Sequence, residues 1–549
     1  IYKKDFSIDR IPPICYKYSP IEKQLFSTRL YLSSHTRISI YNFAYRILNK
    51  TYMEKVFNIF FVGGLLGGLT GCNSQKEESL NQTRPNIILV MADDLGYGDL
   101  GCYDNNVVKT PALDSMAAEG IKFTRFYAAA PVSSPTRGSC LTGRHPFRLN
   151  IPWAGDGFLP REELTIAEVL KEAGYATGHF GKWHVGSLSK TIKQSYFPGD
   201  VNSDHYSPPW ENGFDECFTT ESMVPTYNPY YMVGPDYFDK EYRHIQTEPV
   251  EKGQRTKGFR WRDFYWTGEG QIVDEWLEGD DSKLIMDKAL DFIDRKKDEN
   301  QPFLSLIWFH TPHTPVVAGN EHRALYESLS MEEQHCYGAI TAMDEQIGRL
   351  RQYLKEEKLD ENTIVWFCSD NGPSYVNKVT SAGELRGEKA TLYEGGIRVP
   401  SILTWPAKFD APFVYSGLSC TTDFYPSILE ACGIETPENQ PILDGCSIWS
   451  ALSDYTIGKD RSIYFQSPKP GKASASIKDQ EKQFAVIQHQ YKLLSVDNGK
   501  TYQLYDLKFD VKEEKDISSE NPILVEDMKK NLASWVESCE RSARGEDYN

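Results

Sequence analysis

The chain has 549 residues, of which 40% are hydrophobic, enough to bury a large core in two or more structural units. Residues 1–52 carry nine Lys and Arg against three Asp and Glu, a balance of +6. Because the formal charge of the whole chain is −17, the remaining residues carry −23. This acidity argues against a groove that binds nucleic acid. The eleven cysteines contain no CxxC pair, so neither a zinc ribbon nor a disulfide scaffold is indicated.

The N-terminal segment predicts export and lipid attachment. The first methionine is Met53, and an apolar run over Val56–Leu69, short for a membrane span, leads to Cys72. The four residues that end at Cys72, Leu-Thr-Gly-Cys, resemble the lipobox of bacterial lipoproteins, whose cysteine carries the lipid. A buried N-terminal helix is the alternative interpretation. We expect a lipid-anchored protein of the cell envelope, facing the periplasm or the outer-membrane surface.

Beyond about Pro85, apolar runs alternate with amphipathic stretches, as in a mostly parallel α/β sheet. Four predicted strands end in polar clusters: Ile87–Ala92 before Asp93-Asp94, Tyr175–Phe180 before Gly181-Lys182-Trp183-His184, Phe303–Phe309 before His310-Thr311-Pro312-His313, and Thr363–Cys368 before Asp370-Asn371-Gly372. Ligands of open α/β sheets bind beyond the carboxyl ends of strands. We therefore expect the four clusters to converge on one site.

Helices are predicted between these strands, over Thr110–Gly120, Thr165–Gly174 and about Glu332–Glu357. The aromatic-rich segment Pro208–Asp274 lacks clear periodicity and predicts a long insertion over the sheet. The C-terminal part predicts antiparallel strands at Ser462–Gln466, Phe484–Val496 and Tyr502–Leu507, then a helix over about Pro522–Cys539.

The predicted fold class is α/β, with a large, mostly parallel central sheet flanked by helices and a smaller C-terminal α+β subdomain that contains an antiparallel sheet. The expected divisions are a non-native or disordered leader at 1–52, a lipoprotein signal peptide at 53–72, a linker at 73–84, a catalytic α/β domain at 85–445 and the C-terminal subdomain at 446–549.

The most specific motif is Ser133-Ser134-Pro135-Thr136-Arg137, with Leu141-Thr142-Gly143 in register after it. It resembles the signature of the formylglycine-dependent (type I) sulfatases of the alkaline phosphatase superfamily. With Ser133 in the modified position, the chain resembles the serine-type members of this family that are bacterial lipoproteins. In that family a maturase, which would recognise Ser133 to Gly143, oxidises the serine to formylglycine (3-oxoalanine). Sulfated serine would be a stable ester, whereas the hydrated aldehyde can expel sulfate. The alternative centre Cys140 fails because the Pro and Arg offsets do not fit.

The resemblance extends from Asn86 to the C terminus and implies an alkaline phosphatase-like fold with one bound Ca²⁺. It assigns the metal ligands to four residues at two strand ends and to the modified serine: Asp93, Asp94, Asp370, Asn371 and Ser133. Oxygen ligands without cysteine suit Ca²⁺ or Mg²⁺.

The same resemblance implies the residues that act on the sulfate ester. Arg137 would stabilise the nucleophile, while Lys182 and Lys389 would offset charge on the transferring group. His313 would be the general acid on the leaving alcohol, and His184 would assist deprotonation of the nucleophile and sulfate elimination.

Aromatic and basic residues predict a sulfated saccharide as substrate, although loop packing explains any one of them equally well. They are Trp210, Tyr227, Tyr230, Tyr231, Arg255, Lys257, Arg260, Trp261, Arg262 and Trp266, with Trp153, Asp156 and Tyr393 near the motifs. The predicted lipid anchor places the enzyme outside the cytoplasm and so favours a saccharide of glycosaminoglycan or mucin type. The alternative functions are a phosphatase or phosphodiester hydrolase of the same superfamily, and a surface lipoprotein that binds glycans without catalysis.

Overall fold

The structure is a computed structural model that describes residues 84–191, 205–229, 264–273, 275, 277–409, 411–454, 456, 461–469 and 480–548, and the backbone of two strands at 231–233 and 246–249. These residues belong to one compact unit, Gln82–Asn549. The predicted leader and signal peptide lie outside the described residues, as does the linker apart from its last residue. Within the described part of the chain, no helix is long and apolar enough to cross a membrane.

The strands are, in chain order, β1 Asn86–Ala92, β2 Ile121–Phe123, β3 Phe126–Tyr127, β4 Ala176–Lys182, β5 Glu216–Thr220, β6 Tyr231–Val233, β7 Gln246–Pro249, β8 Trp266–Gly268, β9 Gln271–Ile272, β10 Phe303–Trp308, β11 Thr363–Ser369, β12 Ser401–Thr404, β13 Phe413–Tyr415, β14 Ser419–Cys420, β15 Ser462–Pro468, β16 Lys482–Gln488, β17 Tyr491–Ser495 and β18 Gln503–Asp506.

The α-helices are α1 Pro111–Glu119, α2 Ser133–Thr142, α3 Ile166–Glu172, α4 Asp281–Asp298, α5 Asn320–Ala324, α6 Met331–Glu356, α7 Glu394–Ile397, α8 Phe424–Ala431, α9 Trp449–Ser453 and α10 Pro522–Ala543.

The central sheet has the strand order β13-β2-β12-β11-β1-β10-β4-β5-β8-β9. The five strands from β11 to β5 run parallel, whereas β12 and β8 pair antiparallel with their inner neighbours. All four predicted strands are present in this parallel part. The predicted α/β fold with a parallel central sheet is therefore confirmed.

Both faces of the sheet are buried, which explains why β1, β10 and β11 are mostly apolar. Along β1, Ile87 and Leu89 pack on the side of α3 and α8, whereas Ile88 and Val90 pack on the side of α1, α4 and α6. Thr165 and Ser330 each form a capping box that starts a helix at the predicted place. The sheet is therefore the middle layer between two sets of helices.

The segment predicted as an insertion contributes to the sheet itself. Strand β5 pairs parallel with β4, and β8 then pairs antiparallel with β5. Because β5 contains only Cys217 and Phe218 as apolar residues, its sequence lacks the apolar run that marks β1, β10 and β11. The expectation that the segment 208–274 only covers the sheet was wrong in this part.

The C-terminal subdomain contains the expected antiparallel sheet, ordered β15-β16-β17-β18, with α10 packed on one face. The run predicted as one strand over Phe484–Val496 is a hairpin, since β16 and β17 are joined at His489 and Gln490, and His489 has a positive φ of 54°. The opposite face of the sheet packs against Tyr127, Leu392 and Ile397 of the catalytic part. This face connects the subdomain to the site described next.

Candidate active site

The four polar clusters meet at one edge of the central sheet. Strands β11, β1, β10 and β4 are adjacent and parallel, so their carboxyl ends point the same way. Beyond these ends lie Asp370, Asp93, His313 and His184 respectively. The convergence expected from sequence is what the structure shows.

Ser133 is the first residue of α2 and lies at the centre of the cluster. It is buried, and its Oγ is 3.2 Å from Oδ1 of Asp93 and 3.3 Å from Oδ1 of Asn371. The N-terminus of α2 places the partial positive charge of the helix at this oxygen. A hydroxyl has one proton and can donate to only one of the two neighbouring oxygens. The remaining close oxygen–oxygen contact is one that a cation would relieve.

The acidic residues are held by each other's backbone and side chains. The backbone N–H of Asp94 donates to Oδ1 of Asp370 at 3.1 Å, and Asn371 Nδ2 donates to Oδ1 of Asp94 at 2.8 Å. Asp94 has a left-handed φ of 65°, a conformation that Asp tolerates better than most residues. Asp93, Asp94 and His313 offer ligand atoms that all lie within 4.8 Å of one another.

Two lysines neutralise the first pair of carboxylates. Lys182 Nζ lies 2.7 Å from Oδ2 of Asp93, and Lys389 Nζ lies 2.5 Å from Oδ1 of Asp94. Burial raises the pKa of Asp93. The nearby positive charges, first of all that of Lys182, outweigh this effect and leave the pKa well below its usual value. Burial lowers the pKa of Lys389, yet Asp94 and Asp93 overcome that effect and raise it.

Arg137 ties the nucleophile helix to the other carboxylate. Its guanidinium donates to Oδ2 of Asp370 at 2.9 Å and to the backbone carbonyl of Lys182 at 3.2 Å, and it lies over the ring of Trp308 at 5.1 Å. Burial, followed by repulsion from Asp93, nevertheless raises the pKa of Asp370 to about 6. Burial and the neighbouring carboxylate thus disfavour the charged form of Asp370, which a bound cation would stabilise.

The two histidines face the cluster from different strands. His313 donates from Nδ1 to the carbonyl of Thr314 at 2.6 Å, which leaves Nε2 directed at Asp94, 3.9 Å from Oδ2. Burial lowers the pKa of His313 to about 4. His184 has a left-handed φ of 63°, and burial, followed by the charge of Lys182, holds its pKa well below the usual value.

A buried network behind the histidines was not identified from sequence. His310 bonds through Nδ1 to Oδ2 of Asp281 at 2.8 Å and through Nε2 to Oγ1 of Thr220 at 2.7 Å. The hydroxyl of Tyr265 donates to Oδ1 of Asp281 at 2.5 Å. These partners come from three separate segments, and only His310 stood in a recognised motif.

This network supports both histidines of the site. The backbone N–H of His313 donates to the carbonyl of His310 at 2.7 Å, and that of His184 donates to the carbonyl of Glu221, the neighbour of Thr220, at 2.9 Å. Hydrogen bonds therefore link His310 and its partners to the two loops that carry His313 and His184.

Residues 386–394 form a segment that carries Lys389, and we call it the lysine strap. The C-terminal subdomain holds it through Gln483, which donates to a strap carbonyl at 2.9 Å and accepts from a strap N–H at 3.2 Å. Lys492 of the subdomain lies 3.0 Å from Glu394 of the strap and 2.9 Å from Glu513, and all three side chains are fully buried. The subdomain thus fixes one of the cations of the site.

The predicted substrate-contacting residues have mixed outcomes. Trp266 in β8 is fully buried in the core, which favours the packing alternative over a substrate contact. Trp210 packs on the core and donates to Tyr206. The loop with Trp153 contacts the motif, since Gly155 N donates to Ser134 Oγ at 3.3 Å. Outside the described side chains lie Tyr230, Tyr231, Arg255, Lys257, Arg260, Trp261 and Arg262.

The remaining candidates make contacts with other parts of the chain. Tyr227 packs against Gly319, where an added Cβ would lie 2.7 Å from its ring. Tyr393 lies in the strap beneath the guanidinium of Arg386, at 4.0 Å, and packs against the subdomain core. Asp156 pairs with Trp153 in a bridge of the same loop.

Comparisons with known proteins agree over most of the described chain. The family model described as Sulfatase matches residues 85–434, and the one described as N-sulphoglucosamine sulphohydrolase, C-terminal, matches residues 386–539. The chain is 33% identical to N-acetylgalactosamine-6-sulfatase of Sus scrofa over 411 residues, which cover 70% of this chain and 68% of the relative.

Two further relatives cover more of the chain. It is 30% identical to the N-acetylgalactosamine-6-O-sulfatase of Bacteroides thetaiotaomicron over 514 residues, which are 85% of this chain and 96% of the relative. The crystal structure of Ps i-CgsB in complex with k-i-k-neocarrahexaose is similar with a TM-score of 0.67 at 28% identity, covering 82% of this chain and 92% of that one.

Proposed function

The chain belongs to the sulfatase family and is a sulfuric ester hydrolase, and from this premise we propose that it removes O-sulfate groups from glycan-derived saccharides of glycosaminoglycan or mucin type. Two of the relatives described above are named N-acetylgalactosamine-6-sulfatases, and the similar crystal structure holds a carbohydrate hexaose. The observation that carries the proposal is the buried Ser133 oxygen near Asp93 and Asn371, in a cluster whose three carboxylates pair with three side-chain cations.

Formylglycine at position 133 would supply a nucleophile that attacks sulfur and can later release sulfate, which serine cannot do. The place of Ser133 supports this proposal, because α2 aims it at the carboxyl ends of β1 and β11. All residues from Ser133 to Thr142 are buried, so a maturase would reach them before the chain folds. We therefore propose a maturase that recognises Ser133 to Gly143 in the unfolded chain.

The oxygen donors fit one Ca²⁺, which would supply a Lewis acid for the sulfate oxygens. The residues that would hold it are Asp93, Asp94, Asp370, Asn371 and the modified Ser133. Two features support this fit: the close contact of Ser133 with two oxygens, and the raised pKa of Asp370.

The charges of the site suit an anionic substrate. Three carboxylates, Asp93, Asp94 and Asp370, face three side-chain cations, Lys182, Lys389 and Arg137. A divalent cation would add two positive charges, so the loaded site would attract a sulfate ester and stabilise charge that develops on it. Lys182 and Lys389 are the side chains we assign to this role.

We assign His313 as general acid and His184 as the residue that takes protons near position 133. Because Nδ1 of His313 donates to Thr314, its Nε2 is the atom that would protonate the leaving oxygen. Burial lowers the pKa of His313, and the negative charge of a bound sulfate ester would act in the opposite direction and raise it.

We also propose that the mature protein is anchored to the cell envelope by a lipid on Cys72. The support is the sequence of residues 53–72, where a short apolar run ends in a lipobox-like site. Metabolic labelling with a fatty-acid analogue should mark the wild-type chain and leave Cys72→Ala unmarked. Equal labelling of both would refute the anchor.

The test of the proposed function is sulfate release from a panel of 2-, 3-, 4- and 6-O-sulfated monosaccharides and disaccharides. The chain is co-expressed with a serine-type maturase, and Ser133→Ala is the matched control. We expect release by the wild type alone. Phosphate release from phosphate esters without sulfate release would favour the phosphatase alternative, and saccharide binding without release would favour the glycan-binding lipoprotein.

A further inference from the structure

The chain between Asn371 and the lysine strap begins with a braced turn, residues 373–380, which we call the rim turn. Ser374 is buried and accepts hydrogen bonds from the backbone N–H groups of Val376 at 3.2 Å and Asn377 at 3.3 Å. Asn377 is also buried and donates to Cys336 Sγ of α6 at 3.3 Å. The turn is therefore fixed from beneath by its polar residues.

The rim turn is joined to the catalytic cluster at both ends. It begins two residues after Asn371, and the backbone N–H of Lys389 donates to the carbonyl of Pro373 at 2.9 Å. Lys378 pairs with Glu388 of the strap at 3.2 Å. Four residues span at most about 14 Å, so Tyr375 lies within about 14 Å of Asn371, measured between Cα atoms.

At its outer side the rim turn exposes two adjacent large hydrophobic side chains. Tyr375 is 48% exposed and Val376 is 58% exposed. Single exposed apolar residues need no explanation, but these two are consecutive, and buried hydrogen bonds beneath them hold their backbone in place. Because the backbone of this pair is already fixed, a ligand that binds there loses less free energy to the ordering of the chain.

We propose that Tyr375 and Val376 bind the apolar face of the saccharide unit next to the sulfated one. The inference rests on the proposed function, because the sulfated unit would occupy the buried cluster at Ser133. The neighbouring unit would extend away from this cluster, and the rim turn is the exposed segment that follows Asn371 most closely in the chain. A tyrosine ring packs well against the C–H face of a sugar, and its hydroxyl can bond to sugar hydroxyls. The preferred substrate would be an oligosaccharide.

The test compares two substrates with the same sulfated unit, a monosaccharide and a disaccharide. For each variant the measured quantity is the ratio of kcat/KM on the disaccharide to kcat/KM on the monosaccharide. Tyr375→Ala should lower this ratio about three- to tenfold, a typical range for one aromatic contact, and the change should lie in KM. Tyr375→Phe should retain most of the ratio. Phe509→Ala, which removes an aromatic residue 79% exposed on the C-terminal subdomain, is the matched control.

An unchanged ratio in Tyr375→Ala would overturn the inference while leaving the proposed function intact. If the wild type released sulfate from neither saccharide, the proposed function would fail separately. Calorimetric binding of the desulfated disaccharide then still decides the inference, since Tyr375→Ala should weaken that binding about three- to tenfold and Phe509→Ala should not. Equal binding by both variants would refute it.

Discussion

The contact between the C-terminal subdomain and the lysine strap is open to a quantitative test with Lys492→Met. Lys492 Nζ lies 3.0 Å from Glu394 and 2.9 Å from Glu513, and none of the three side chains is exposed. Methionine would fill the space of the aliphatic chain and leave two carboxylates facing each other in the interior. Burial lowers the pKa of Lys492, but Glu513 and Glu394 outweigh it and raise this pKa.

Removal of one partner from a buried ion pair costs about 3–5 kcal/mol of unfolding free energy. We expect the lower end, about 3 kcal/mol, because Glu394 keeps the hydroxyl of Tyr127 at 2.9 Å and the guanidinium of Arg398 at 3.4 Å. Glu513→Gln in the same chain should recover part of the loss, since it removes one of the two unpaired charges.

The assay is equilibrium urea unfolding, with KM measured on the folded proteins. Lys500→Met is the matched control, because Lys500 pairs with Glu481 at 3.1 Å but is 67% exposed, and such pairs contribute less than about 1 kcal/mol. Lys492→Met should also raise KM by displacing Lys389. A loss no larger than that of Lys500→Met would refute the reasoning.

Three further predictions concern the chemistry of the site. Chelation with EDTA should abolish sulfate release and added Ca²⁺ should restore it, and activity that survives chelation would refute a catalytic metal. His313→Ala should slow hydrolysis of alkyl sulfates about 100-fold or more but that of nitrophenyl sulfate much less, since only a poor leaving group needs protonation; equal losses on both would contradict its role as the acid. Asp281→Asn should lower kcat about ten- to hundredfold with a smaller effect on KM, because an amide cannot replace both acceptor bonds to His310 and Tyr265; an unchanged kcat would show that this network does not position the histidines.

The central sheet and its polar rim were predictable because the signal is local. Strands β1, β10 and β11 are mostly apolar, as expected of strands buried on both faces, and polar residues stand at or just after the end of each of the four strands. The rule that ligands bind at the carboxyl ends of parallel strands then brought Asp93 and Asp370 together, although 277 residues separate them in sequence. The motif at Ser133 provided the helix N-terminus between them.

What was missed depends on contacts that no local pattern encodes. The lysine strap is fixed by Gln483, Lys492 and Glu513, about 90 to 120 residues further along the chain. His310 acquires its role through Asp281 and Thr220, each an ordinary residue in its own segment. Trp266 was a candidate for packing against a sugar. Its place in the core depends on the pairing of β8 with β5, which the sequence did not indicate.

The most direct measurement is the mass of the peptide that contains residue 133, taken from protein whose sulfate release has been measured. We expect the active protein to carry at position 133 a residue lighter than serine by two hydrogens, and we expect Ser133→Ala to be inactive. Full sulfatase activity from a chain whose Ser133 is unmodified would contradict it.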